Sequence, residues 1–209
     1  MKPKPKTSSK SPSKLYGLIL SGGESSRMGK DKGLINYHGM PQREYLCHLL
    51  EEICDDVFLS IRSEQVCEVP SGFKNIVDQN DHKGPYNGIL SAFKAQPNVA
   101  WLVLACDLPL INLQTIGQLI SGRNPNKTAT AFANPETGEP EPLACIWEVK
   151  GLEESLQFLE DRNTRSPKKF LMNADIALVH PKYGQDLFNA NSPQDYDFVK
   201  RKLEEREGG

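Results

Sequence analysis

No stretch of this sequence approaches the ~20 consecutive apolar residues that a membrane span requires, so no spanning helix is expected. The five cysteines, Cys47, Cys54, Cys67, Cys106 and Cys145, are odd in number and form no C-x-x-C pair. They read as reduced thiols of a cytoplasmic protein, not as a disulfide framework. His38, His48, His82 and His180 are scattered without ligand spacing, which leaves no zinc site to expect. Internal repeats and an interdomain linker are missing too. The first fourteen residues, MKPKPKTSSKSPSK, contain no acid and nothing apolar but Met1 and three prolines; five lysines and four serines make up most of the rest. Such a segment cannot bury apolar surface and has no h-region, so residues 1–14 are expected to form a disordered basic tail, not a signal peptide.

What is present fits one soluble globular domain over residues 15–209: the chain of 209 residues is 38% hydrophobic and 25% charged. Its formal charge is −2, and without the five lysines of the tail the body carries 20 basic and 27 acidic residues, a charge of −7. An acidic body argues against a nucleic-acid surface, and the tail is left as the basic segment.

The chain is organised around Leu15 to Leu34, LYGLILSGGESSRMGKDKGL. An apolar run of strand length, Leu15 to Leu20, breaks at Ser21-Gly22-Gly23, where glycines let the backbone approach a ligand closely. Three cations, Arg27, Lys30 and Lys32, then fall within six residues. Such a loop suits a polyphosphate, although a βα turn with solvated lysines would read the same way. It is no P-loop: five residues separate Gly23 from Gly29-Lys30, and Asp31 follows. The dinucleotide pattern G-x-G-x-x-G is absent as well.

Downstream, Pro41 to Cys54 places Tyr45, Leu46, Leu49, Leu50 and Ile53 on one helical face. Strands are expected at Val57 to Ile61, Asn75 to Val77 and Trp101 to Cys106, with helices at Ile89 to Gln96, opened by Gly84 to Gly88, and at Leu113 to Ser121. The second half predicts strands at Lys127 to Ala133 and Leu143 to Val149 around the turn Asn134 to Gly138. Helices follow at Gly151 to Asp161 and Pro167 to Met172, then a strand at Ile176 to Val179. A last helix begins at Pro193, signalled by Ser192, Pro193 and Asp195. Strands alternating with helices predict an α/β fold: a doubly wound, mostly parallel, Rossmann-like sheet with helices on both faces. Ligands of such sheets bind beyond the carboxyl ends of the strands, where the loop after Leu20, Asp78, the Gly84 to Gly88 turn and Asp107 should converge. Asp107 ends the most apolar strand, as a hard oxygen ligand suited to Mg²⁺ or as a helix cap. Asp78 is an acceptor for a base or sugar, or an ordinary turn residue.

The combination LSGGESSRMGKDKGL, GPYNG, Asp107-Leu108-Pro109, PEPLACIW, RSPKKFL and NANSPQDY resembles, block by block and in order, the nucleotidyltransferases that make the dinucleotide forms of the molybdenum cofactor. The Gly-Gly pair and Asp31-Lys32 are most similar to the guanylyltransferase branch. That resemblance implies transfer of GMP from GTP to molybdopterin with Mg²⁺, releasing pyrophosphate. By position it implies nucleotide contacts from Leu20, Ser21, Gly22, Gly23, Lys32, Asp78 and Asp107, with the metal on Asp107. Lys32, Asp107 and Arg27 would be catalytic, and Gly84, Gly88, Asn189 and Asn191 would face molybdopterin. It also implies transient contact with molybdenum insertion proteins or acceptor molybdoenzymes. Two departures stand out: Ser60-Ile61-Arg62-Ser63 lacks the family asparagine after the second strand, and Tyr86-Asn87 replaces a small apolar filling. The competing readings are a cytidylyltransferase acting on molybdopterin or on a sugar or polyol phosphate, and a non-catalytic nucleotide-binding chaperone.

Overall fold

The computed structural model describes residues 13–23, 31–162 and 165–207. Six apolar residues of the first strand, β1 (Leu15–Leu20), lie between β2 (Asp56–Ile61) and β4 (Ala100–Ala105), parallel to both. β3 (Lys74–Val77) pairs in parallel with β2. The chain thus winds outward from β1 to β3 and then crosses to β4 on the other side of β1. This makes the gap between the β1 and β4 ends the point where winding reverses, and the loops leaving those strands part to opposite sides and open a crevice.

The sheet order is β3-β2-β1-β4-β6-β5-β7, with β5 (Ala129–Ala133), β6 (Pro140–Trp147) and β7 (Ile176–Val179) completing it. β6 is antiparallel to both neighbours, and the other described strands run parallel. This is the doubly wound, mostly parallel class that the sequence pattern predicts. Several boundaries differ by a few residues: the helix expected from Ile89 starts at Pro85, and the one expected from Gly151 starts at Val149, which the sequence pattern places at the end of the preceding strand. The sequence pattern places the start of β6 at Leu143, yet it starts at Pro140. Its pairing with β4 begins only at Ala144, opposite Leu104, so Pro140 to Pro142 overhang the end of β4, where a proline N–H is not needed on that edge, while Pro140 and Glu141 pair with Ala133 and Phe132 of β5. Opposite Ala131 and Phe132 of β5 the pairing jumps from Cys145 to Glu141, so the irregularity is absorbed within β6 at Pro142 to Ala144, and the Trp147 indole N–H ties it down through the Pro142 carbonyl at 3.2 Å.

Every residue of β4 is buried, because helices cover both faces of the sheet. On one face α1 (Gln42–Glu51) and α3 (Leu113–Ser121) pack Leu46, Leu50, Ile116 and Leu119 against Leu102 and Leu104. On the other, α2 (Pro85–Ala95), α4 (Val149–Arg162) and α5 (Pro167–Leu171) pack Ile89, Leu90, Leu152 and Phe170 against Trp101, Val103 and Trp147. A third, smaller cluster of Tyr37, Leu110, Ala190 and Val199 seats α6 (Pro193–Glu207). Its start carries the expected reciprocal cap: Ser192 Oγ accepts from the Asp195 N–H, and Asp195 Oδ2 accepts from the Ser192 and Asn191 N–H groups. Residues 1–12 of the expected tail lie outside the described residues, while Ser13 bonds to Glu148 and the Lys14 carbonyl accepts from Ala100. No described helix is long and apolar enough to cross a membrane.

At the start of α4, Gly151 lies so close to the Thr128 backbone carbonyl that an added Cβ would collide with it. A backbone atom cannot rotate away. Gly151→Ala is therefore expected to lower folding stability by about 1–3 kcal/mol, read as a lower denaturation midpoint at unchanged slope.

Candidate active site

The carboxyl ends of β1, β2, β3 and β4 open into a cleft of about 650 Å³. Leu20, Ser21, Gly22, Gly23 and Lys32 line it from the first loop, Asp78 from the end of β3, Gly84 and Gly88 from the start of α2, and Asp107 from the end of β4. Segments distant in sequence meet here because the parallel strands all end on one side. Asn189 and Asn191 lie outside the cleft lining, on the loop before α6, which the Ala190 N–H anchors to the Asp107 carbonyl at 2.9 Å; of the two, Asn191 reaches Lys32. Arg27 lies outside the described residues.

The charges are arranged in two groups. At the β1/β4 gap the Lys32 ammonium lies 3.5 Å from Asp107 Oδ2 and donates to Asn191 Oδ1 at 2.6 Å. The other Asp107 oxygen, Oδ1, is buried and has no hydrogen-bond partner among the described residues. Burial pushes the Asp107 carboxyl above its ordinary range, and Lys32 offsets part of that. Glu141, on the β6 overhang, is raised by burial and also by the Asp107 charge. At the other end, Ser60 donates to Asp78 Oδ1 at 2.7 Å, while Oδ2 looks at Gly22, where a Cβ would sit 2.9 Å away. Only glycine leaves that oxygen room. Asp78 too is raised by burial, with Ser60 and Arg62 pulling back.

Gly33 and Gly88 are required by packing. A Cβ on Gly33 would come within 2.6 Å of Ser21 Oγ, and one on Gly88 would strike Ser60 and Leu20. The cap of α2 is Gly84, in the left-handed region at φ 64°; Pro85 brings no N–H and the Asn87 N–H donates to the Gly84 carbonyl at 3.0 Å.

Among the described residues no group of three or more His, Cys, Asp or Glu side chains could chelate a metal. A cation at Asp107 would draw its other ligands from substrate oxygens and water, which is the habit of Mg²⁺, and the unpartnered Oδ1 suits it. Sequence reading missed two residues here. Gln65 sits in a stretch that looked featureless, and the structure turns it into a 3-10 helix, Ser63–Glu68, against the first loop. Glu141 was hidden by the expectation that its strand begins later. For neither does the sequence offer a local signal.

A family model described as the MobA-like NTP transferase domain matches residues 17–174. The chain is 40% identical over 185 residues to the "Molybdenum cofactor biosynthesis bifunctional protein" of Synechocystis sp., covering 87% of this chain and spanning about half, 52%, of that longer protein. It is 31% identical over 180 residues to the "Molybdenum cofactor guanylyltransferase" of Pseudomonas fluorescens, covering 85% of this chain and 89% of that one. The fold is shared with the solved "Molybdopterin-guanine dinucleotide biosynthesis protein A" from Archaeoglobus fulgidus, at a TM-score of 0.73 and 19% identity, over 91% of this chain and 99% of that one.

Because the folded protein holds the Asp107 proton more tightly than the unfolded chain, ionising Asp107 costs stability, and the cost sets in as pH rises from the ordinary carboxylate range through the raised value. Asp107→Asn stays neutral and escapes it. With divalent cations chelated, the variant is expected to melt above wild type at about pH 8, the gap closing toward about pH 4. A variant melting no higher than wild type at the upper pH would contradict this electrostatic reading.

Proposed function

The chain belongs to the MobA-like NTP transferase domain family, a nucleotidyltransferase therefore, and on that premise we propose that it transfers GMP from GTP to molybdopterin with Mg²⁺, releasing pyrophosphate. The observation that carries the reading is Lys32 beside Asp107 at the point where the sheet reverses its winding, with the glycine loop on one side. The names of the Pseudomonas and Synechocystis relatives support molybdenum cofactor chemistry, and the former supports guanosine over cytidine.

In this reading an oxygen of the acceptor's terminal phosphate forms a bond to the α-phosphorus of GTP. The bond from that phosphorus to the α–β bridging oxygen breaks, and the electron pair leaves with pyrophosphate. The acceptor phosphate is already anionic, so the chain needs no nucleophile of its own. Its residues position the phosphates and neutralise their charge. Lys32, and with it Arg27, meets the triphosphate; Ser21, Gly22 and Gly23 bring backbone close to it. Leu20 and Asp78 face base and ribose, with Asp78 Oδ2 the acceptor left unshared by Ser60. Asp107 is the carboxylate that would hold Mg²⁺, and the ion when bound would supply charge neutralisation to phosphate. Gly84, Gly88, Asn189 and Asn191 are assigned to the molybdopterin side. Asn191 has a second part, since its side-chain oxygen holds the Lys32 ammonium in place. We assign the reaction to the cytoplasm, with handover of the product to acceptor molybdoenzymes or insertion proteins.

Pyrophosphate release from GTP, compared with CTP, in the presence of molybdopterin and Mg²⁺ tests the proposal. Faster release from CTP would make the chain a cytidylyltransferase, and nucleotide binding without release would make it a chaperone. Asp107→Ala is expected to abolish turnover in a folded protein. Lys32→Ala should cost at least about tenfold in kcat/KM, since one phosphate contact worth about 1.4 kcal/mol is lost.

A further inference from the structure

Between β2 and β3 the chain makes the 3-10 helix Ser63–Glu68, and the side chain of Gln65 in it is 2% exposed. Its partners do not belong to the apolar core. The amide nitrogen donates to the Ser21 carbonyl at 3.2 Å and to Asp31 Oδ2 at 2.5 Å, while Oε1 accepts from the Arg62 backbone N–H at 2.8 Å. Arg62, fixed by that last bond and by Glu64 at 2.7 Å, donates from Nη1 to the carbonyls of Gly22 at 2.7 Å and Gly23 at 3.3 Å. One short turn therefore grips both described flanks of the first loop, Ser21 to Gly23 and Asp31 to Gly33.

We infer that Gln65, together with Arg62, is a positioning residue for the nucleotide: a buried carboxamide clip that sets the two flanks of the loop in triphosphate-binding register. The inference rests on the proposed nucleotide site and deepens it. Two physical consequences follow from the geometry. A planar trans peptide points its N–H opposite to its C=O. Drawing the Ser21 and Gly22 carbonyls onto Gln65 and Arg62 therefore turns the Gly22 and Gly23 amides away from that turn, where they can donate to an anion. On the second flank, the Asp31 carboxylate is occupied through Oδ2 by Gln65 and through Oδ1 by the Gly33 N–H at 2.8 Å. Its charge is thereby tied down beside Lys32 and kept from competing with phosphate for that ammonium.

The chemistry of the clip needs a carboxamide. Two N–H groups and an acceptor oxygen on one planar head serve a carbonyl, a carboxylate and an amide at once, and no other side chain of that length does so. Glutamate at this position would aim a second acceptor at the Ser21 carbonyl and the Asp31 carboxylate. Methionine would fill the same space and make none of the three bonds.

The test compares Gln65→Met, Gln65→Glu and Arg62→Met with wild type in KM for GTP, KM for molybdopterin, kcat, melting temperature, and direct binding of GTP by equilibrium dialysis. Q65M is expected to raise KM and Kd for GTP by about tenfold, with molybdopterin KM within about twofold and little change in melting temperature; Q65E should be weaker still. A residue that only fills space would leave Q65M at wild-type GTP affinity, and Q65M and Q65E would not be ranked in that order; either result overturns the inference. Should both Gln65 variants fail to fold, Arg62→Met, on the more exposed arm, must show the same selective rise, and a wild-type KM for GTP there overturns it equally. If wild type prefers CTP, the base assignment fails while the same comparison is read with CTP. If wild type binds no nucleoside triphosphate, the proposed function and this inference fall together.

Discussion

A carboxylate partly drawn out of water, one oxygen buried, at the end of a wholly buried strand is the constraint around which this molecule is arranged. β4 can bury all its residues only because helices cover both faces of the sheet and strands flank it on both edges. That burial carries Asp107 to a place where its charge is costly, and the nearest compensation is Lys32. Lys32 in turn depends on Asn191, which reaches it from a loop anchored on the Asp107 carbonyl and seated by the small cluster under α6. Sheet, first loop and C-terminal segment are coupled through three side chains, Asp107, Lys32 and Asn191. The uncompensated part of the cost is what a bound cation would relieve.

The other end of the cleft is governed by hydrogen bonds in place of net charge. Ser60 occupies one oxygen of Asp78, Gly22 leaves the second open, and Arg62 closes the space behind. The two ends differ in what they can distinguish. A charge pair answers to any phosphate, whereas an acceptor of fixed direction answers to the donors of one base or sugar.

Much of this was legible in the residues. The apolar runs at Leu15 to Leu20 and Trp101 to Cys106 announced central strands, and the breaks after them announced the loops, because a strand buried on both faces needs an uninterrupted apolar run. Ser192-Pro193 with Asp195 announced the last helix to the residue, since cap chemistry is local. What could not be read depended on contacts between distant segments. Gln65 looks like any polar residue until the first loop is laid against it, and the partnership of Asn191 with Lys32 spans most of the chain. The start of β6 was misread for a different reason: proline is excluded from a strand only where its N–H would be needed, and whether it is needed depends on where the neighbouring strand stops.

That overhang divides the cleft into a fixed jaw and an adjustable one. Loops hung on β1 to β4 are locked to one another by parallel register, so a residue inserted in any of those strands would shift the others. Pro140 to Leu143 stand outside the pairs that join β6 to β4, connected to β5 by the hairpin Asn134 to Gly138, and Leu143 alone of that stretch reaches the cleft wall. Lengthening or shortening that hairpin would resize the far wall and leave the strands of the near wall unmoved. A lineage keeping its nucleotide while changing what it attaches the nucleotide to would have its freedom there.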